Sequence, residues 1–193
     1  MKILFVIDKI ELKYFEFNNL VTNFWIIKEF LDRGNEVFIT TIPNLSLKAD
    51  KAFTKCYETF CDKGNIFYKD VKIEREINDF ELVMFRPDPP VDIDYINATY
   101  IFDFVKKPRV INSPRAIRDF NEKLHSVYFK ELMSENIVTA SLKEIEDFLA
   151  INKQIVLKPL NRCFGSGVMF LYDGDPNTRT IINTMTNNET TLV

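Results

Sequence analysis

The chain has 193 residues, 46% of them apolar and 27% charged, with 18 Phe and a net charge of −3. That length can bury one large core or two small ones, and the composition excludes a disordered chain. Charge of both signs is interspersed, which excludes a basic footprint for nucleic acid or a polybasic membrane surface and leaves a small-molecule partner.

The opening run Lys2 to Ile7 is a continuous apolar stretch, cut off by Asp8 and Lys9. It is too short for a signal core or a membrane span, so a cytoplasmic protein is expected, and it reads as a buried strand. After a loop, Phe17, Leu20, Val21, Phe24, Ile27 and Leu31 recur at helical steps, and Gly34 stops the helix. Glu36 to Thr40 supplies a second strand, parallel to the first through a right-handed crossover. Pro43 and Asn44 mark a turn. Ala52 to Phe60 and Ile66 to Ile73 are expected to pair as a hairpin about Lys63 and Gly64.

Glu81 to Arg86 is a third core strand, ended by Pro87, Asp88, Pro89 and Pro90, which forbid regular structure. Ile93 to Val105 predicts a helix. Arg109 to Asn112 is a fourth strand, with Ser113 as N-cap and Pro114 at the first position of the next helix. From Asn121 the character changes: a helix carries Leu124, Val127, Tyr128 and Leu132, and another begins at a Ser141/Glu144 capping box. Gln154 to Leu157 and Val168 to Tyr172 are strands, Asp173 and Gly174 a turn, and Thr178 to Thr186 a short helix. The ending Thr190 to Val193 is apolar and β-prone, with an unpaired edge expected there.

The residues that suggest chemistry are Lys123, at the start of a helix, and Lys158, at the end of a strand running into Gly165, Ser166 and Gly167. Ammonium groups beside glycine-rich backbone, where main-chain N–H groups can approach an anion, suggest a triphosphate cradle, although a solvated hairpin bearing lysines is the common alternative. No P-loop or dinucleotide fingerprint occurs. The three cysteines, Cys56, Cys61 and Cys163, match no zinc spacing or disulfide framework. His125 reads as a packing residue, Asp8 as a turn or cap, and Glu76-Ile77-Asn78 as a chance triplet.

The segments Arg86-Pro87-Asp88-Pro89-Pro90 with Ala98-Thr99-Tyr100, Ile111-Asn112-Ser113-Pro114, Arg118 to Leu124, Ile155 to Leu160 and Gly174 to Asn177 together resemble the bacterial glutathione synthetases, an ATP-grasp ligase family. The resemblance implies an α/β fold: an open parallel-sheet pre-ATP-grasp domain over residues 1–120, then an incomplete ATP-grasp α+β subdomain over 121–193. It implies ATP-dependent joining of γ-glutamylcysteine to glycine through an acyl phosphate. Lys123, Lys158, Gly165, Ser166 and Gly167 would contact ATP, and Arg86, Asp88 and Asn112 the peptide.

Where family members carry further glycines, this loop has Arg162 and Phe164, which restrict φ and hinder close approach to phosphates. The resemblance also implies that adenine contacts and Mg²⁺ ligands come from a missing C-terminal part, so that no metal ligand lies in this chain. A truncated enzyme, inactive alone and completed by a complementary C-terminal chain, is therefore expected, as is a homo-oligomer. Two other readings stand beside it: a non-catalytic binding or assembly module derived from the ligase, and another ATP-grasp carboxylate-amine ligase, which the Asp-Pro-Pro segment disfavours.

Overall fold

The computed structural model of the chain describes residues 1–13, 20–88, 90–162, 165–187 and 190–193, with the side chains of all of these except Ile10 and Glu11. Two compact units, Met1–Asp119 and Phe120–Val193, each have their own core. Among the described residues, no helix is long and apolar enough to cross a membrane.

In the first unit β1 (Lys2–Ile7) is buried on both faces, which is why its sequence is a continuous apolar run rather than an alternating one. A short helix, α1 (Lys9–Lys13), follows where the sequence reads as loop. In α2 (Thr22–Asp32), Phe24 and Ile27 face the sheet. Leu20, assigned to that face by its spacing, is 94% exposed and precedes the helix, and Phe17 lies outside the described residues. Gly34, with φ +75°, turns the chain into β2 (Glu36–Thr41), which runs parallel to β1 with Ile3 opposite Val37.

The next segment departs from the expected single hairpin. A strand absent from the sequence reading, β3 (Leu45–Lys48), pairs with β4 (Lys51–Asp62), and β4 then lies antiparallel to β2. Lys63 and Gly64, both at positive φ, turn β4 tightly into β5 (Asn65–Tyr68). The run from Ile66 to Ile73 is not one strand: the polar stretch 69–72 interrupts it, and β6 (Ile73–Glu76) pairs with the other half of β4. β7 (Leu82–Phe85) and β8 (Arg109–Ile111) complete the order β3-β4-β2-β1-β7-β8, of which β2-β1-β7-β8 is parallel. Between them α3 (Ile93–Ile101) gives way to a 3₁₀ turn at Phe102–Phe104, and α4 (Pro114–Asp119) follows Ser113.

Alternate residues of β1 serve opposite faces of this sheet. Leu4 and Val6 pack with Phe38, Phe85 and Tyr95, whereas Ile3, Phe5 and Ile7 pack with Phe24, Ile27 and Ile39.

The second unit is a four-stranded antiparallel sheet of order β11-β10-β12-β9, comprising β9 (Val138–Thr139), β10 (Gln154–Pro159), β11 (Met169–Tyr172) and β12 (Thr191–Leu192). Helices α5 (Leu142–Asn152) and α6 (Thr178–Thr186) cover one face and bury Ile145, Leu149 and Ile182 against Ile155, Leu157 and Leu171. The final strand is not an open edge, as its sequence suggested, because β12 sits between β9 and β10.

The stretch Leu124–Leu132 is 3₁₀ rather than α, broken at Phe129, with no residue buried. Its three-residue spacing of Leu124 and Val127 fits either geometry, so periodicity could not distinguish them. The capping box forms by half: Ser141 Oγ accepts from the Glu144 N–H at 3.4 Å, but the Glu144 carboxylate accepts from the Thr139 hydroxyl instead.

Candidate functional site

In the first unit the segment Arg86 to Asp88 leaves the C-terminal end of β7, where open α/β sheets place their ligands. Prolines on either side of Asp88 cannot donate, so the only main-chain donors from Arg86 to Pro90 are Arg86 and Asp88. Both are satisfied: Arg86 N–H donates to the Val6 carbonyl at 3.0 Å, and Asp88 N–H to the Asp8 carboxylate at 2.6 Å. The Tyr95 hydroxyl donates to the Pro87 carbonyl at 3.1 Å, and Asn112 Nδ2 to the Phe85 carbonyl at 3.3 Å.

A cavity of about 330 Å³ opens beside this segment, lined among others by Asp8, Lys9, Thr41, Asp88, Asp92 and Tyr95. Burial pushes the Asp8 carboxyl up from the ordinary carboxylate range; the Asp88 N–H opposes the shift and the Asp88 charge adds to it. Burial likewise pushes the Tyr95 phenol up to about 12. Neither Arg86 nor Asn112 lines the cavity. Arg86 is half-buried against α2, where its Nε donates to Asn23 Oδ1 at 2.5 Å. Of the three residues assigned to the peptide, the structure thus puts Asp88 in the cavity and the other two at the ends of neighbouring strands.

In the second unit the 3₁₀ helix is fastened to the loop after β10. Asn121 Oδ1 accepts from the N–H groups of Lys123 and Leu124, and its Nδ2 donates to the Leu160 carbonyl at 2.9 Å. Lys123 Nζ, whose side chain is 16% exposed, donates to the Arg162 carbonyl and pairs with Glu122 at 2.9 Å. Lys158 is exposed at the end of β10. It lines a cavity of about 530 Å³ with Val156, Phe170 and Leu192; Lys123 is not part of that lining. Lys123 therefore reaches the loop that Lys158 begins, not the cavity that Lys158 lines.

Gly165 and Gly167 have φ of +71° and +72°. A Cβ on Gly167 would come within 3.1 Å of Pro159 Cγ and 3.3 Å of the Arg162 guanidinium, whereas one on Gly165 would meet open space. Cys163 and Phe164 lie outside the described residues.

The residues set aside on sequence grounds have structural work. His125 lies edge-on between Phe120 and Tyr128, at 4.2 and 5.3 Å. Asn78 Oδ1 accepts from the N–H groups of Lys106 and Lys107, and Glu76 pairs with Lys51. Among the described residues, no three His, Cys, Asp or Glu side chains gather in a way that could hold a metal ion. Sequence reasoning missed Asn23 and Asn121. Asn121 carried a usable signal, a capping residue directly before a helix; Asn23, inside a helical pattern, carried none.

A parallel sheet whose strands end in a ligand-sized cavity, followed by an antiparallel sheet with a basic, glycine-bearing loop, defines the ATP-grasp ligase fold. Solved structures share it: D-alanyl-alanine synthetase A from Vibrio cholerae O1 biovar eltor (TM-score 0.61, 11% identity, covering 100% of this chain and 58% of that one) and a RimK domain protein from Sphaerobacter thermophilus (TM-score 0.59, 16% identity, 100% and 62%).

The family follows from sequence models that match residues 1–118 to the prokaryotic glutathione synthetase N-terminal domain and residues 122–193 to the prokaryotic glutathione synthetase ATP-grasp domain. The chain belongs to the prokaryotic glutathione synthetase family. Glutathione synthetase of Buchnera aphidicola subsp. Schizaphis graminum is 31% identical over 172 residues, 87% of this chain and 54% of the relative. That of Synechococcus elongatus is 40% identical over 114 residues, 58% of this chain and 35% of the relative. The chain spans about half the length of the curated relatives it matches.

Proposed function

We propose that this chain supplies nucleotide and peptide contacts for the ATP-dependent joining of γ-glutamylcysteine to glycine. The observation that carries the reading is the meeting of Lys123 with the loop that Lys158 begins: Lys123 Nζ on the Arg162 carbonyl, Asn121 on the Leu160 carbonyl, and Gly165 and Gly167 beyond. Lys123, Arg162 and two glycines at one loop, with Lys158 on the strand that leads into it, suit a polyphosphate. Ammonium groups offset its charge, and glycine lets main-chain N–H groups approach it.

In the first unit, the acidic cavity suits the ammonium end of a γ-glutamyl peptide, and Arg86 suits a carboxylate. In the reaction, a peptide carboxylate oxygen attacks the γ-phosphorus of ATP with loss of ADP. The glycine nitrogen then attacks the resulting acyl carbon and releases phosphate. The part assigned to this chain is binding and charge neutralisation. No step is assigned to Mg²⁺, since the described carboxylates form no set that fits it.

Calorimetric titration of the full chain with Mg·ATP tests the nucleotide part. Saturable binding that falls at least about tenfold in both Lys158→Ala and Lys123→Ala is expected; heat changes identical in the native chain and both variants would overturn it. Turnover is expected only from protein spanning the relatives' full length.

One observation favours a second reading, a binding or assembly module without ATP chemistry. The Lys123 ammonium is already engaged by Glu122 and by the Arg162 carbonyl, as a purely structural lysine would be. Under that reading Lys158→Ala leaves every ligand affinity unchanged.

A further inference from the structure

We infer that Asn23 is a positioning residue for Arg86, holding its guanidinium in one orientation at the end of β7 so that the Nη edge is offered to a carboxylate of the peptide substrate. The inference rests on the peptide-binding reading above and adds to it a residue from a different element.

Asn23 is the second residue of α2 and only 4% exposed, between the helix's apolar contacts. Burying an amide there costs free energy unless it is hydrogen-bonded, and an apolar side chain would pack the position at lower cost. Both ends of the Asn23 amide are directed at one residue, 63 positions away in sequence. Its oxygen accepts from Arg86 Nε at 2.5 Å, and its nitrogen donates to the Arg86 carbonyl at 3.4 Å. The main-chain bond fixes where the strand ends; the Nε bond fixes the rotation of the guanidinium plane. With Nε engaged, the four Nη–H donors remain on the far edge, in the fork geometry that matches a carboxylate.

The partner's neutrality matters as much as its position. Among the described residues no carboxylate pairs with Arg86, although eleven of the twelve ion pairs join other Lys or Arg side chains to acidic groups. An aspartate at position 23 would hold the same guanidinium and cancel its charge. An asparagine holds it and leaves the charge for a ligand.

The test combines ¹⁵N NMR of the Arg86 Nε–Hε group, assigned from its disappearance in Arg86→Lys, with titration of the full chain by γ-glutamylcysteine. In the native chain the Nε–H should exchange slowly with water. In Asn23→Ala it should exchange at least about tenfold faster, with the dipeptide Kd raised about tenfold. In Asn23→Asp, which keeps the acceptor and so retains the fold should the alanine variant lose it, slow exchange should persist while the dipeptide Kd still rises. If Arg86→Ala abolishes dipeptide binding and both Asn23 variants bind as tightly as the native chain, the positioning role is overturned and the peptide reading stands. If Arg86→Ala binds the dipeptide like the native chain, the peptide reading itself fails and takes the inference with it.

Discussion

The side-chain amide of Asn121 donates to the carbonyl of Leu160 at 2.9 Å, so one residue both starts the 3₁₀ helix and ties it to the loop that follows β10. Losing the cap costs about 1 kcal/mol, and losing the bond to Leu160 about as much again. Asn121→Ala is therefore expected to destabilise the second unit by about 2 kcal/mol and to weaken Mg·ATP binding, because Lys123 would no longer be held against the loop. Asn121→Asp retains the cap but sets a carboxylate against the Leu160 carbonyl, and should weaken nucleotide binding without the loss of the cap. Denaturant melts and calorimetric titration of the two variants separate these effects; equal nucleotide affinity in both variants and the native chain would remove Asn121 from the site.

The loop glycines make an ordering that can be checked. Gly165→Ala meets open space and suffers only the left-handed backbone penalty, about 1 kcal/mol. Gly167→Ala adds to the same penalty a contact of 3.1 Å with the Pro159 ring, which cannot swing away as a flexible chain end can. Thermal melts should therefore rank Gly167→Ala below Gly165→Ala. The reverse order would mean that the loop does not hold this conformation in solution.

Much of this architecture was legible because local signals and tertiary packing agree. The apolar run of β1, the Ser113/Pro114 helix start and the limits of α6 follow from patterning and caps alone. What failed needed long-range partners. The run from Ile66 to Ile73 is broken by the polar stretch 69–72, but that its two parts pair with different halves of the long β4 could not be read locally. Thr191 and Leu192 read as a loose edge because β9 and β10, which enclose them, lie far back in the chain. The same holds for the site. Residue type and motif are what propose Lys123, Lys158 and Arg86 for it, whereas the hydrogen bonds of Asn23 and Asn121 reach residues 63 and 39 positions away, partners that no local pattern encodes.

Alkaline pH should destabilise the first unit in a defined window. Burial raises the Cys56 thiol from 9.0 to about 11 and the Tyr95 phenol from 10.0 to about 12. Both groups are neutral when protonated, so the folded state holds their protons more tightly than the unfolded chain does. Their contribution is complete below the unfolded values and is lost as pH climbs through the folded ones. Urea melts followed between pH 9.0 and about 12 should show a falling midpoint, shallower in Tyr95→Phe, which at neutral pH loses only the bond to Pro87, about 1 kcal/mol. A midpoint that stays level through that window would contradict the burial of both groups.

Phe85 offers the sharpest test of how the sheet carries the site. Its side chain is 0% exposed and meets the rings of Tyr95 and Phe102 edge-on at 5.4 and 5.2 Å, while its carbonyl receives Asn112 and its successor is Arg86. Phe85→Leu keeps most of the apolar volume and should cost about 1 kcal/mol, leaving the strand end in place. Phe85→Ala opens a cavity beside the rings of Tyr95 and Phe102 and should cost about 3–5 kcal/mol. Because Phe85 packs in the core of the first unit, calorimetry should show a lower melting temperature in the alanine variant than in the leucine variant. If the alanine variant lowers dipeptide affinity in proportion to the lost packing while the leucine variant does not, the position of Arg86 is set by the core beneath it. Equal affinity in the two variants would instead assign that position to the hydrogen bonds of Asn23 and Val6 alone.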